Sequence, residues 1–175
     1  MAAGDSSSNP INTRSVKTDP AFSASAIITP AASATDIATL VGSATKKVYV
    51  QRVFISGTQT TGGQAIVQIL KRTVLDTAGT ATQPTIARHS TAVAPVAVFN
   101  AYSANPSALG TGAVLRTQRV PVGATTVTTN NIICIDLTDS PVQLDGAAES
   151  LAVNLNAVTL TGGSLHVSIE WTEGE

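Results

Sequence analysis

The stretch that decides the fold is SLAVNLNAVTLTGGSLHVSIEW, residues 150–171. In its second half, large apolar residues take every other position and polar residues lie between them, with Leu165, Val167, Ile169 and Trp171 against His166, Ser168 and Glu170. A period of two is typical of a half-buried antiparallel strand. Leu151, Val153 and Leu155 alternate in the same way in the first half, and two glycines turn the chain between the halves. The stretch therefore predicts two strands separated by a turn.

The rest of the chain from about residue 34 repeats this pattern in a weaker form. Short β-branched and apolar runs, separated by turn residues, occupy residues 35–41, 46–56, 64–75, 93–102, 113–122, 132–137 and 142–144. The best candidate for a helix, residues 31–40, is rich in Thr and β-branched side chains and is predicted as strand. Short strands at such spacing favour a sandwich or barrel. We predict an all-β fold, an antiparallel β-sandwich over residues 31–175, with the jelly roll as one topology open to it.

The second of these strands carries apolar residues on both faces. Val48, Val50 and Phe54 fall on one face of a regular strand, and Val53 and Ile55 fall on the other. A strand that lies between a core and a subunit contact would show this pattern. A β-bulge, which shifts the alternation by one residue, would also show it.

Residues 1–30 have a different composition. They alternate polar and small residues, contain three prolines and show no sustained hydrophobic period. Such a segment is typical of an extended arm, which is either disordered or ordered only against a partner. A self-contained fold explains its few large apolar and basic residues least. We therefore predict contact residues for a partner in this arm, namely Asn9, Ile11, Arg14, Val16, Lys17 and Phe22.

Composition and charge bound the class of partner. Charged residues make up 12% of the 175 residues, and the formal net charge is -1. A typical globular domain has about 25% charged residues, so this chain uses uncharged polar residues for much of its surface. No net field is available to attract nucleic acid or an anionic membrane. A nearly neutral surface suits a free monomer poorly, and we expect self-association without a nucleic-acid or membrane partner.

The N-terminal sequence gives an expectation for the site of synthesis. It has no basic segment followed by an apolar one, and no later stretch is apolar and long enough to span a bilayer. We expect synthesis in the cytoplasm without an export signal.

The residues that most often carry chemistry are few and scattered. Cys134 lies in the apolar run at residues 132–137, which predicts a small buried side chain rather than a nucleophile. His89 and His166 have no ligand spacing around them and are predicted to be solvated or at a rim. We predict no catalytic residue, no cofactor, no metal and no small-molecule substrate.

Two groups of charged residues have an alternative to plain solvation. Four acidic residues late in the chain could together hold calcium in the loops, although solvated turn carboxylates are commoner: Asp136, Asp139, Asp145 and Glu149. The densest basic positions are Lys71, Arg72, Arg116 and Arg119. They lack interleaved aromatic residues, so ion pairs at an interface or solvation are favoured over a nucleic-acid groove.

Two stretches carry a resemblance to a known family. One is TDIATLVGSATKKVYVQRVFISG, residues 35–57, and the other is GAAESLAVNLN, residues 146–156, continuing to IEWTE at residues 169–173. They are similar to small virion structural proteins encoded in tailed-phage genomes and prophages. Residues 67–73 and 100–109 are related to that family in layout. The resemblance covers most of residues 34–173 but not the arm, and its motifs carry no catalytic chemistry.

The resemblance implies a β-sandwich on the surface of a phage particle, and within that class a capsid decoration (cement) protein. Such proteins commonly form trimers over local three-fold axes and bind by extended arms. The implied partners are the major capsid protein and further copies of the chain, with a trimer favoured, on the capsid surface of the virion. Collar, head-fibre and tail structural proteins are alternatives in the same class. A carbohydrate-binding module for host surfaces is an alternative of another class, although one Trp, two Tyr and three Phe offer few sugar platforms.

Overall fold

The computed structural model describes residues 19–90, 93–126 and 131–174. These residues form twelve β-strands and no helix. The strands are β1 Ala21–Ile28, β2 Ala34–Val41, β3 Lys47–Gln59, β4 Gly63–Arg72, β5 Thr80–Thr82, β6 Ala87–Arg88, β7 Val98–Ala104, β8 Gly112–Ala124, β9 Ile133–Asp136, β10 Val142–Leu144, β11 Ser150–Val158 and β12 Ser164–Gly174. The predicted all-β fold is confirmed, including a strand within residues 31–40.

The strands form two sheets that are joined at one edge. Sheet A has the order β6–β1–β12–β3, and β9 and β10 follow one another along the far side of β3. Sheet B has the order β5–β7–β2–β11–β4–β8. Neighbouring strands are antiparallel, except where Thr58 and Gln59 of β3 meet Gly123 and Ala124 of β8 in a short parallel contact. This contact joins the two sheets.

The order of pairing is that of a jelly roll. Strands of the first half of the chain pair with strands of the second half: β1 with β12, β2 with β11, β3 with β9 and β10, and β4 with β8. Winding this long hairpin places β12 between β1 and β3, and β11 between β2 and β4. Two sheets wound in this way make a jelly roll. Residues 73–111, here named the long connection, contain β5, β6 and β7 and extend both sheets beside β1 and β2.

β1 corrects the predicted boundary of the arm. Residues 21–28 pair with β12 along their whole length, so the predicted arm at residues 1–30 is wrong from residue 21 onward. Every second side chain of β1 lies against the core: Phe22, Ala24, Ala26 and Ile28. The alternation is hard to see in the sequence because two of the four are alanines. In addition, the apolar Ile27 lies on the opposite face, where it is 70% exposed. Residues 1–18 lie outside the described part of the chain.

β12 supplies the central row of the core. The four side chains predicted to face inward, Leu165, Val167, Ile169 and Trp171, are all buried. His166 on the opposite face is exposed, and Ser168 and Glu170 are half-buried. The predicted alternation is confirmed.

A β-bulge explains the two-sided pattern of β3. Glu170 of β12 lies opposite Arg52, but Trp171 lies opposite Val50, so Gln51 is the extra residue. The bulge shifts the alternation by one position. As a result, the apolar residues on both sides of it face the core and are fully buried: Val48, Val50, Val53 and Ile55. Of the two explanations considered, the β-bulge is confirmed.

Candidate interaction surfaces

The predicted contact residues divide into two groups. Asn9, Ile11, Arg14, Val16 and Lys17 lie outside the described part of the chain. Phe22 is fully buried, and its ring stacks on that of Trp171 with a centroid distance of 5.9 Å and an interplanar angle of 28°. Its prediction as a contact residue is therefore wrong, because β1 places this side chain in the core.

An apolar depression lies on the outer face of sheet A, where β1, β12 and β3 are side by side. Ile27 lies opposite His166, and Phe54 lies opposite Ser168. These four residues and Ile132 are among those that line the depression, which has a volume of about 420 Å³. We name it the A-face depression. It brings together side chains that are far apart in the sequence, so no local pattern predicts it.

Two isoleucines of the A-face depression stand in solvent. Ile27 is 70% exposed and Ile132 is 68% exposed. Burying a large aliphatic side chain contributes about 1.5–3 kcal/mol, and covering each of these two would therefore contribute about 1–2 kcal/mol. A partner that covers the depression would therefore form a complex stabilised by burial of both isoleucines.

The described chain enters the fold on the same side of sheet A. Asp19, its first residue, lines a second depression of about 280 Å³ together with Tyr49, Gln51, Pro141 and Thr172. Thr172 shares a face of β12 with Ser168 of the A-face depression, about 13 Å away at 3.3 Å per residue. Asp19 and the A-face depression therefore lie on the same face of sheet A.

Three charged side chains are buried together beneath the long connection. Arg72, at the end of β4, donates from Nε and Nη2 to the two carboxylate oxygens of Asp36, at 2.5 and 2.8 Å. Arg72 also donates to the carbonyl oxygen of Gly110, and its Nε lies 3.3 Å from Oδ1 of Asp76. Asn154 of β11 donates to Asp36. Each of the three charged side chains is at most 5% exposed, and we name them the buried charged cluster.

Asp76 is the least satisfied member of this cluster. Its Oδ1 accepts the backbone N–H of Gly110 at 2.8 Å, whereas its Oδ2 has no hydrogen-bond partner among the described residues. Burial, and then the neighbouring Asp36 carboxyl, raise the pKa of Asp76 from 3.8 to about 6. Both contacts of Gly110 hold the two ends of the long connection together, so the cluster has a structural role.

Glu173 fixes the long connection at a second point. Its carboxylate accepts the backbone N–H of Val96 at 3.0 and 3.1 Å, that of Ala97 at 3.0 Å and the indole N–H of Trp171 at 3.0 Å. Its own backbone N–H donates to the carbonyl oxygen of Pro20. The side chain is buried and ties the segment before β7 to the end of β12. Glu173 lies two residues after Trp171 and so continues the series of inward-facing positions in β12. This position is the sequence signal from which its burial could be predicted.

The four basic positions do not form one patch. Lys71 pairs with Glu149 at 3.0 Å, and Arg72 belongs to the buried charged cluster. Arg116 and Arg119 lie on β8, where both are exposed. A role in interface ion pairs therefore remains a prediction for Arg116 and Arg119 only.

Cys134 corrects a further prediction. Its strand, β9, forms as expected, but the side chain is exposed rather than buried. Ile135 takes the core-facing position instead, at 8% exposed. Partial desolvation, followed by the charge of Asp136, raises the pKa of the Cys134 thiol, which lowers its thiolate fraction at neutral pH.

The other residues considered for chemistry lie apart. Nε2 of His89 is 3.1 Å from the hydroxyl of Ser23, and His166 lines the A-face depression. Across residues 19–90, 93–126 and 131–174, no three His, Cys, Asp or Glu side chains are placed to hold a metal ion. The four acidic residues considered for calcium, all within these ranges, thus form no such cluster.

No protein-family model matches the chain, and no curated protein matches it. Within the described residues, no helical segment has the length and hydropathy of a transmembrane span. Two depressions lie on the outer face of sheet A, and Asp19, the first described residue, lines one of them.

Proposed function

We propose that this chain is a non-enzymatic structural protein of a bacteriophage particle, and that it decorates the outer surface of the capsid and stabilises it. In this role it binds the major capsid protein and other copies of itself, with a trimer as the favoured oligomer. The observation that carries the proposal is the A-face depression with its exposed Ile27 and Ile132, on the same face of sheet A as Asp19. The resemblance of residues 35–57 and 146–156 to small virion structural proteins of tailed phages supports the same role.

The fold suits a mechanical role on a shell. A jelly roll closes its core with two sheets, and here the buried charged cluster and Glu173 also fix the long connection to the body of the domain. Jelly rolls occur among viral capsid domains and also among lectins. Because one fold serves many functions, the surface contacts rather than the topology must identify the partner.

The N-terminal segment extends the contact surface. Eighteen residues precede Asp19, and a fully extended segment of that length spans at most about 65 Å. This reach is sufficient for a neighbouring capsid subunit. Ile11, Arg14, Val16 and Lys17 are the residues of the segment with the most apolar area or charge to contribute.

Contacts of modest strength suffice in this setting. A standard interface of about 1,600 Å² ranges from micromolar to picomolar affinity. Repetition over the shell adds avidity when copies are linked in an oligomer. Covering Ile27 and Ile132 contributes part of this affinity, and the N-terminal segment, residues 1–18, contributes the rest.

The proposal is tested by rebinding to purified particles that lack the protein. Ile27→Ser combined with Ile132→Ser removes the exposed apolar side chains, and Val74→Ser, at a valine that is 54% exposed in the long connection, is the matched control. A third variant lacks residues 1–18. We expect the double variant and the truncation each to lose about tenfold or more in affinity, as a loss of 1.4 kcal/mol implies, while Val74→Ser binds like the parent. Unchanged binding of both would overturn the proposal.

Glycan binding is a second candidate, and the depression at Tyr49 favours it. A tyrosine ring beside the carboxylate of Asp19 and the polar side chains of Gln51 and Thr172 is the kind of surface on which a sugar stacks and forms hydrogen bonds. A glycan array probed with intact particles, and with particles carrying Tyr49→Ala, tests this role. A signal that the variant loses would support it, and no signal from the parent would exclude it.

A further inference from the structure

β8 has an edge that no described strand covers. β4 pairs with one side of β8 along residues 112–122, whereas β3 meets the other side only at Gly123 and Ala124. All eight residues from 112 to 119 are exposed. An edge strand leaves a row of N–H and C=O groups available for pairing with another strand.

The exposure includes the core-side face of β8. Gln118 lies opposite Val67, and Arg116 lies opposite Ile69, yet both of these β4 side chains are fully buried. Residues directly opposite one another share a face of the sheet. β9 and β10 end the facing sheet and are only four and three residues long. The described strands of the facing sheet therefore do not extend over residues 112–119.

Between residues 117 and 121 of β8, the backbone groups of the odd-numbered residues point to the free edge. Thr125 donates its N–H to the carbonyl oxygen of Gln59 in β3, on the side away from β4. Because alternate residues direct their backbone groups to the same edge, those of Thr117, Arg119 and Pro121 point there too. Proline is tolerated in a sheet where its missing N–H would face outward, in agreement with this assignment. Thr117 and Arg119 thus each offer an N–H and a C=O to a further strand.

The side chains of the free edge are cationic and apolar. Among the described residues, neither Arg116 nor Arg119 has a carboxylate within ion-pair distance. Val114 is 48% exposed and Leu115 is 39% exposed. Leu115 and Arg116 also line a depression of about 420 Å³ that extends to Val142 of β10. This edge offers backbone pairing, charge and apolar contact together.

We propose that the free edge of β8 binds an extended protein segment as an additional β-strand, and that this segment carries carboxylates that pair with Arg116 and Arg119. In strand addition the main-chain hydrogen bonds supply affinity and the side chains supply specificity. A second β8 is a poor occupant, because β8 contains two arginines and no carboxylate to pair with Arg116 and Arg119. Charged residues and proline in an edge strand disfavour its pairing with another copy of the same strand. They do not exclude pairing with an acidic strand. The inference goes beyond a role in the capsid and holds for any partner protein.

The probe is the synthetic peptide acetyl-Thr-Val-Glu-Thr-Val-Glu-Thr-Val-amide, added to the isotope-labelled full chain. Its glutamates are three residues apart and so lie on opposite faces of a strand, as Arg116 and Arg119 do. We expect changes in the backbone amide NMR signals at residues 112–121, with a dissociation constant of about 0.1–1 mM. One control peptide has lysine in place of both glutamates, and another has alternate backbone nitrogens methylated. Both are expected to bind at least fivefold more weakly.

Three variants of the protein separate backbone pairing from charge. Thr117→Pro removes one N–H from the free edge and leaves the side facing β4 intact, whereas Thr117→Val keeps that N–H and serves as its control. Arg116→Gln combined with Arg119→Gln removes both charges. We expect at least a fivefold loss of peptide binding for the proline variant and for the double variant, and no loss for Thr117→Val. Amide signals outside β4 and β8 verify that each variant is folded.

Several results would overturn the inference. They are equal binding of the lysine peptide or the methylated peptide, equal binding by Thr117→Pro, and signal changes centred on the A-face depression instead of β8. The absence of any change at a peptide concentration of about 5 mM would also overturn it.

Discussion

Replacing Asp76 with asparagine is expected to raise the free energy of unfolding at neutral pH. Burial raises the pKa of this carboxyl from 3.8 to about 6. At 1.36 kcal/mol for each pH unit of difference, the raised pKa corresponds to about 3 kcal/mol. The folded state holds the proton more tightly than the unfolded chain does. This contribution to stability is therefore fully present below about pH 4 and is lost as the pH rises through about 6.

Asparagine imitates the protonated form of Asp76. Its Oδ1 still accepts the backbone N–H of Gly110, and its amide N–H can donate toward the Asp36 carboxylate. The variant consequently keeps the hydrogen bonds of the buried charged cluster without the cost of a second buried negative charge. We expect Asp76→Asn to exceed the parent by about 1–3 kcal/mol at pH 8 and to match it near pH 4.

The assay is urea-induced unfolding, followed by the fluorescence of Trp171, the single tryptophan of the chain. The parent, Asp76→Asn and Asp139→Asn are compared at about pH 4 and about pH 8. Asp139, an exposed carboxylate in a turn, is the matched control and is expected to change stability by less than about 0.5 kcal/mol. An Asp76→Asn variant that is less stable than the parent at pH 8 would refute the reasoning, because attraction to Arg72 would then outweigh burial.

Two further substitutions test the fixing of the long connection. Arg72→Leu leaves Asp36 and Asp76 without their cation and is expected to lower the free energy of unfolding by about 3–5 kcal/mol at pH 8. The loss is expected to be smaller near pH 4, where a carboxyl is protonated. An equal loss at both pH values in urea unfolding would contradict this. Glu173→Gln places an amide N–H toward the backbone donors of Val96 and Ala97 and is expected to lower the free energy of unfolding by about 1.5–3 kcal/mol. A decrease below about 0.5 kcal/mol would show that these hydrogen bonds add little to stability.

Local patterns in the sequence predict the strands better than they predict their surroundings. The alternation at residues 165–171 reflects one buried face, so it is readable without any knowledge of the neighbouring strands. The two-sided pattern of β3 is ambiguous because a bulge and a second covered face give the same sequence. The register against β12, which skips Gln51, decides between them.

The errors have a common cause in the neighbours of each strand. Cys134 lies in an apolar run, but among the described residues no layer covers its side of β9, and the side chain is exposed. Phe22 lies in a segment without a visible period, but β12 provides both a pairing edge and the ring of Trp171. Whether a face is covered is set by strands that are distant in the sequence, so one segment alone does not contain the answer.

The candidate surfaces show the same limit. Ile27 and Ile132 are brought to one depression by winding of the jelly roll, and the sequence gives no sign of their proximity. Arg72 of β4 bonds to Asp36 of β2 across the intervening strand β11, and the sequence gives no sign of this pairing. The predicted arm residues Asn9 to Lys17 lie outside the described residues, and their contact role remains a prediction.

The most direct test of the proposed capsid role is cryo-electron microscopy of purified particles that carry this chain. Density for the chain is expected at regular positions on the shell, with the A-face depression against a capsid subunit and residues 1–18 ordered along a neighbour. Density confined to the neck or the tail would contradict the decoration role.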